Sequence, residues 1–172
     1  MRSHLEYASS VWSPYKIQLI KDLEKVQKRA TKLIRSCSKL EYSARLKLLN
    51  LPTLRYRRAR GDMIEVYKIL TSKYDSVVCP PLQLSTSITR DHALKLQTNR
   101  CKYNVRKFNF CNRVVNMWNS LPEIVVLSSS INSFKIALDK FWCSDDKLYN
   151  PDYNFYPFDG THMKYSNMKY SN

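Results

Sequence analysis

Glycine is nearly missing, with two residues among 172. That scarcity removes the glycine-rich loops that cradle phosphates and counts against a turn-dense all-β fold, since both need backbone conformations that glycine adopts most freely. No apolar run approaches the roughly 20 residues needed to cross a bilayer. The sequence as it stands shows no basic start followed by an apolar stretch, so the expectation is an intracellular protein, of the cytoplasm, the nucleus or both. The motifs G-x-x-x-x-G-K-[ST], G-x-S-x-G and H-E-x-x-H do not occur.

Metal-ligating chemistry is equally thin. The five cysteines (Cys37, Cys79, Cys101, Cys111, Cys143) are an odd number, and no two stand at a C-x-x-C spacing. His4, His92 and His162 do not complete a zinc set with them. Reduced, mostly buried thiols are expected, with no metal and no cofactor. The paired acids Asp145-Asp146, in "WCSDD", lie after an aromatic helix rather than an apolar strand. Polymerases hold two metal ions on such pairs, but here no third carboxylate is suitably framed. The expectation is a solvated pair just past a helix end, and no catalytic residue is assigned.

What is present is positive charge. Lys and Arg number 29 against 14 Asp and Glu, a formal net charge of +15. A surface of that sign favours a polyanion through counterion release from phosphates. The charge is uneven: residues 1–60 carry +11, 61–113 carry +5 and 114–172 carry −1. A nucleic-acid face therefore belongs to the first two thirds. The length suits one domain or two small subdomains.

Ser13-Pro14 reads as a helix start, serine capping and proline at the first helical position. In the following "YKIQLIKDLEKVQKRATKLIRS", Ile20, Leu23, Val26, Gln27, Ala30, Leu33 and Ile34 recur at three- and four-residue steps as an inward face. Lys21, Lys25, Lys28, Lys32 and Arg35 recur in the same way on the opposite side, and Arg29 borders them. Like charges in one stripe repel by a few tenths of a kcal/mol per adjacent pair. A phosphate backbone would relieve that, although many such stripes are only solvated faces.

A short helix is expected over Ser43–Leu49, ended by Pro52. Thr53 then caps a second helix, with Tyr56, Ala59, Met63, Val66, Tyr67 and Leu70 inward. Arg57 and Arg58 point away from that face as candidate phosphate contacts. Gly61 costs about 1 kcal/mol relative to alanine in mid-helix and is read as permitting close packing. Residues 75–92 read as a loop or linker and "HALKLQTN" as a short strand. Phe108, Cys111, Val115 and Trp118 mark a further helix, and Ser130 caps a last one with Phe134, Leu138 and Phe141 inward. From Cys143 the chain is aromatic but aperiodic. It ends in the tandem "MKYSNMKYSN", so residues 143–172 read as an irregular to disordered tail.

The segments "HLEYASSVWSP", "LEKVQKRATKLI", "LPTLRYRRARGDMIEVYKIL", "VRKFNF" and "WNSLP" stand in this order over residues 2–142. Together they resemble the carboxy-terminal part of the reverse transcriptase of non-LTR retrotransposons, the LINE elements of jockey-like and related clades. The resemblance implies that the catalytic palm, with its metal-binding aspartates, precedes Met1. Residues 1–13 would be a junction and 14–74 a basic, thumb-like helical region that grips template–primer duplex. Residues 93–142 would form a helical extension. Where the family commonly shows a glycine in "TRGH", this chain has Arg90-Asp91-His92.

The overall expectation is a mainly α protein, a small helical bundle followed by a short strand and a helical extension. It would bind RNA or DNA backbones without sequence preference and without polymerase activity of its own. Its contacts would be Lys21, Lys25, Lys28, Arg29, Lys32, Arg35, Arg57 and Arg58. No membrane or small-molecule partner is expected. The alternative is a small basic nucleic-acid-binding or adaptor protein domesticated from such an element.

Overall fold

A computed structural model describes residues 2–75, 77, 79–86 and 92–156. The chain is mainly α. Its helices are α1 (Arg2–Glu6), α2 (Ser9–Trp12), α3 (Ile17–Lys32), α4 (Tyr42–Leu48), α5 (Leu54–Leu70), α6 (Asn104–Lys107), α7 (Phe110–Asn119), α8 (Glu123–Val126), α9 (Ile131–Phe141) and α10 (Asp145–Tyr149), with a 3₁₀ turn at Arg35–Cys37. The expectations placed on residues 87–91 and on 157–172, including the repeat, lie outside the described residues.

α5 is the central element. Thr53 caps it by accepting from the Tyr56 N–H, and all its expected inward residues are buried apart from the half-buried Leu70. It packs on α2, α3, α7 and α9. One core therefore runs from Tyr56, Met63 and Tyr67 through Val114 and Trp118 to Phe134, Leu138, Trp142 and Phe155. α4 ends where Asn50 takes the left-handed conformation, with φ 47°, and the Leu51 N–H reaches back to the Leu46 carbonyl at 2.9 Å. Asparagine tolerates that conformation better than most residues. It closes the helix before Pro52 acts. Ser130 caps α9, accepting from the Ser133 N–H at 3.1 Å.

Several expectations are corrected. The strand is reduced to one antiparallel bridge, Leu84 with Leu96. Trp118 Nε1 and the Asn119 side chain take up the carbonyls of Leu94 and Leu96 instead of a neighbouring strand. Ser13 closes α2 instead of capping α3, which starts at Ile17. Within the stretch read as a tail, residues 143–156 pack on the core: Leu148 accepts from the Thr53 N–H at 2.9 Å, and Phe155 is buried against Tyr56, Trp142 and Tyr153. Only Cys37 of the five thiols is buried, and Cys143 is exposed.

The largest correction concerns α3. Its buried residues are Glu24, Gln27 and Thr31, all polar. Of the expected inward face Gln27 is buried and Ile20, Leu23 and Ala30 are half-buried, while Val26, Leu33 and Ile34 face solvent, Leu33 at 84% exposed, with Leu19 exposed on the same side. The polar triplet is internally satisfied in part: Gln27 Nε2 donates to the Pro52 carbonyl at 3.1 Å, and the Thr31 hydroxyl donates to the Gln27 carbonyl at 3.0 Å.

Gly61 has no positive φ, and a Cβ built there would meet only the Ser9 hydroxyl, at 3.9 Å. That is ordinary contact, so close packing does not require the glycine. Gly61→Ala should therefore raise stability by about 0.5–1 kcal/mol, read as a higher urea midpoint at constant slope.

Candidate nucleic-acid interface

α3 presents its basic side without obstruction. Lys21, Lys25, Lys28, Arg29 and Lys32 are exposed, and a rise of 1.5 Å per residue spreads them over about 16 Å. Lys25 pairs with Asp22 at 2.8 Å, and the Lys28 ammonium lies 5.9 Å from the centre of the Tyr42 ring. Arg35 is exposed too, but it falls in the 3₁₀ turn after α3 has ended. Helical period therefore no longer aligns it with the lysines.

Beneath the stripe, Arg45 on α4 is buried and ties the end of α3 in place. Its guanidinium donates to the Leu40 carbonyl at 2.7 Å, to the Lys28 carbonyl at 3.4 Å and to the Thr31 hydroxyl at 3.4 Å. Glu24 accepts from Tyr42 Oη at 2.6 Å and from the Leu54 N–H at 3.4 Å. Burial pushes its carboxyl pKa up, against those bonds and the nearby charge of Arg58. The stripe thus stands on a helix fixed by charged and polar groups rather than by an apolar seam.

The arginines of α5 do not point away as expected. Arg58 is only 3% exposed. Arg57 is half-buried and donates to Glu6 on α1 at 2.5 Å. Arg60 makes two bonds to Asp139 of α9, at 2.5 and 2.7 Å, and Arg55 donates to Asn154 at 2.9 Å. Their acceptors lie 51 to 99 residues away in sequence, so no local spacing announces them. The "RYRRAR" run holds the fold together, and of the eight expected contacts the structure gathers only the α3 group on one open face.

A buried charged group also escaped the sequence reading. Asp62, fully buried, accepts from Arg113 Nε at 3.0 Å, Arg113 Nη2 at 3.1 Å and Tyr156 Oη at 2.7 Å. Arg113 also donates to the Ser10 carbonyl at 2.7 Å. Burial pulls the Arg113 pKa down, but the hydrogen bonds and charge of Asp62, together with Tyr156, turn the net shift upward. The available signal was an aspartate set among Ala59, Met63 and Val66 on the inward face of α5, where a carboxylate needs a cationic partner.

Asp145 lies in the first turn of α10 and pairs with Lys47 at 2.7 Å. Among the described residues no group of three or more His, Cys, Asp or Glu side chains is placed to hold a metal ion, and no helix is long and apolar enough to cross a membrane. No family model, curated protein or solved structure matches the chain.

Proposed function

We propose that the chain is a basic helical module that binds duplex nucleic acid through the phosphate backbone, without reading base sequence. More particularly, we read it as the region following the palm in a non-LTR retrotransposon reverse transcriptase, supplying grip on template–primer and no nucleotidyl transfer of its own. The carrying observation is the open stripe of Lys21, Lys25, Lys28, Arg29 and Lys32 along one rigid helix. Each side chain that neutralises a phosphate releases counterions, and like charges aligned this way are relieved by an anionic track. The order of the resembling segments over residues 2–142 supports the narrower reading.

Fluorescence anisotropy of a labelled duplex, titrated at several salt concentrations, tests it. The native chain should bind with a Kd of about 10⁻⁴–10⁻⁶ M near physiological salt and show a steep salt dependence. Replacing Lys21, Lys25, Lys28 and Lys32 with glutamine should reduce the slope of log K against log salt by about 3 to 4. An unchanged slope would leave the stripe a solvated face and end this reading. Incorporation of nucleotides by the pure chain on a primed template would end the non-catalytic part of it.

A further inference from the structure

Beside the first turn of α3 lies a pocket of about 180 Å³, whose lining includes Ile17, Ile20, Arg55, Arg113, Asn154 and Tyr156. One water needs only about 10–15 Å³ of such space, so the pocket can take a polyatomic group. Two of its lining residues are arginines. Arg113 is held rigidly by Asp62, and Arg55 is anchored through Nη2 on Asn154.

One arginine of the lining and one behind it have buried donors without acceptors among the described residues. Arg55 Nε is buried with no hydrogen-bond partner among the described residues. So are Nη1 and Nη2 of Arg58, one helical turn further along α5 and 97% buried. The Arg58 charge interacts with Arg55 and with Tyr156, both in the pocket wall. Two buried carboxylates, Asp62 and Glu24, act on Arg58 by charge, and neither hydrogen-bonds its guanidinium. Asp62 is taken by Arg113 and Tyr156, while one oxygen of Glu24 is taken by Tyr42 and the Leu54 N–H. Its other oxygen makes no hydrogen bond among the described residues. Asp152, exposed at the rim, acts on Arg55 from outside.

Leaving a buried donor unmade costs about 1–3 kcal/mol, more when it is charged. The large majority of buried side-chain polar atoms in folded proteins have a partner, and a water or an ion is one that serves an orphaned donor. The start of α3 adds to the field: its Lys16 cap position makes no side-chain hydrogen bond to the first turn, and the positive end of a 16-residue helix favours an anion.

We propose that this pocket binds one phosphate-type oxyanion, presented either as the free ion or as the terminal phosphate of a nucleic-acid strand. A tetrahedral oxyanion can accept from Arg55 Nε and still offer oxygens to the positive field of Arg113 and Arg58, which a single water cannot. The second source rests on the nucleic-acid reading given above; the first does not.

The test uses the full chain and inorganic phosphate, titrated calorimetrically at ionic strength held constant with chloride. Saturable one-site binding is expected, weakened at least tenfold by Arg55→Gln, a half-buried position whose replacement should leave the circular dichroism spectrum unchanged. The variant with glutamine at Lys21, Lys25, Lys28 and Lys32 keeps the pocket and should bind phosphate within twofold of the native chain. That result stands even if its duplex binding never depended on the stripe, so the two readings can fail separately. Phosphate behaving like chloride, or binding that survives Arg55→Gln, or binding lost in the lysine variant, would each overturn the pocket, the last by placing the ion on the stripe. A 5′-phosphorylated oligonucleotide bound about tenfold more tightly than its 5′-hydroxyl form would assign the site to strand ends. Equal binding of the two, with phosphate binding retained, would assign it to the free ion.

Discussion

Asp62→Ala is expected to cost about 3–5 kcal/mol of stability, the usual cost of removing one partner from a buried ion pair. The carboxylate is fully buried and receives both Arg113 donors and the Tyr156 hydroxyl. Without it Arg113 stays in the interior with one carbonyl partner, Ser10, at good distance and a longer contact to Ser9 at 3.5 Å. Arg58 loses one of its two nearby anions at the same time. The double replacement Asp62→Leu with Arg113→Met removes both charges together, and a buried pair exchanged for apolar groups of similar volume is often neutral or better. It should recover most of the loss. Urea midpoints at constant slope measure both variants, and a single-variant loss below about 1 kcal/mol would mean that the pair is solvated in practice.

Ending the chain after Trp142 should destabilise it by more than about 4 kcal/mol. Removal of a buried phenylalanine side chain alone costs about 3–5 kcal/mol, and Phe155 sits with its ring centre 5.4 Å from that of Trp142 and 5.9 Å from that of Tyr56. The same truncation strips the acceptor from the Thr53 N–H, the Asn154 partner from Arg55 and the Tyr156 hydroxyl from Asp62. Phe155→Ala in the full chain should give about 3–5 kcal/mol of that by itself. A truncated chain melting with the full one would mean that residues 143–156 rest on the surface without holding it.

Why the sequence missed this segment is physical. Asp145 to Tyr156 has one short helix and then bends, so neither a 3.6- nor a 2-residue period exists to be found. Its signal was composition: Tyr149, Tyr153, Phe155 and Tyr156 within eight residues. Aromatic side chains carry large buried areas wherever the backbone goes. By contrast α5 and α9 were legible because a side-chain cap and an apolar period agree at Thr53 and at Ser130. α7 has a cap of the same kind, Asn109 accepting from the Cys111 N–H. The three-residue step from Phe108 to Cys111 runs across that cap, so the longer stretch read as a single helix.

α3 shows a different limit. Its period located an amphipathic helix correctly, but period cannot say which side meets the rest of the chain. Burial fell to Glu24, Gln27 and Thr31 because Tyr42, the Leu54 N–H, the Pro52 carbonyl and the carbonyls of α3 itself supply their hydrogen bonds. The lysine stripe was legible because exposure is what a charged face reaches by default. The arginines of α5 were not, since their fate depends on carboxylates and amides that only the tertiary fold brings near.

The solvent-facing apolar side of α3 makes the net charge of +15 a colloidal matter as well as a recognition one. At low ionic strength mutual repulsion is expected to hold copies apart and keep Leu19, Val26 and Leu33 from meeting their counterparts. The Debye length falls from about 10 Å at 0.1 M to about 3 Å at 1 M, so concentrated salt withdraws that protection while leaving apolar attraction in force. If the proposed function holds, a polyanion neutralising Lys21 to Lys32 would remove the same repulsion locally and crowd copies along one track. Neighbours brought together in that way would attract through their leucine faces, so filling of the track would be cooperative and prone to condensation.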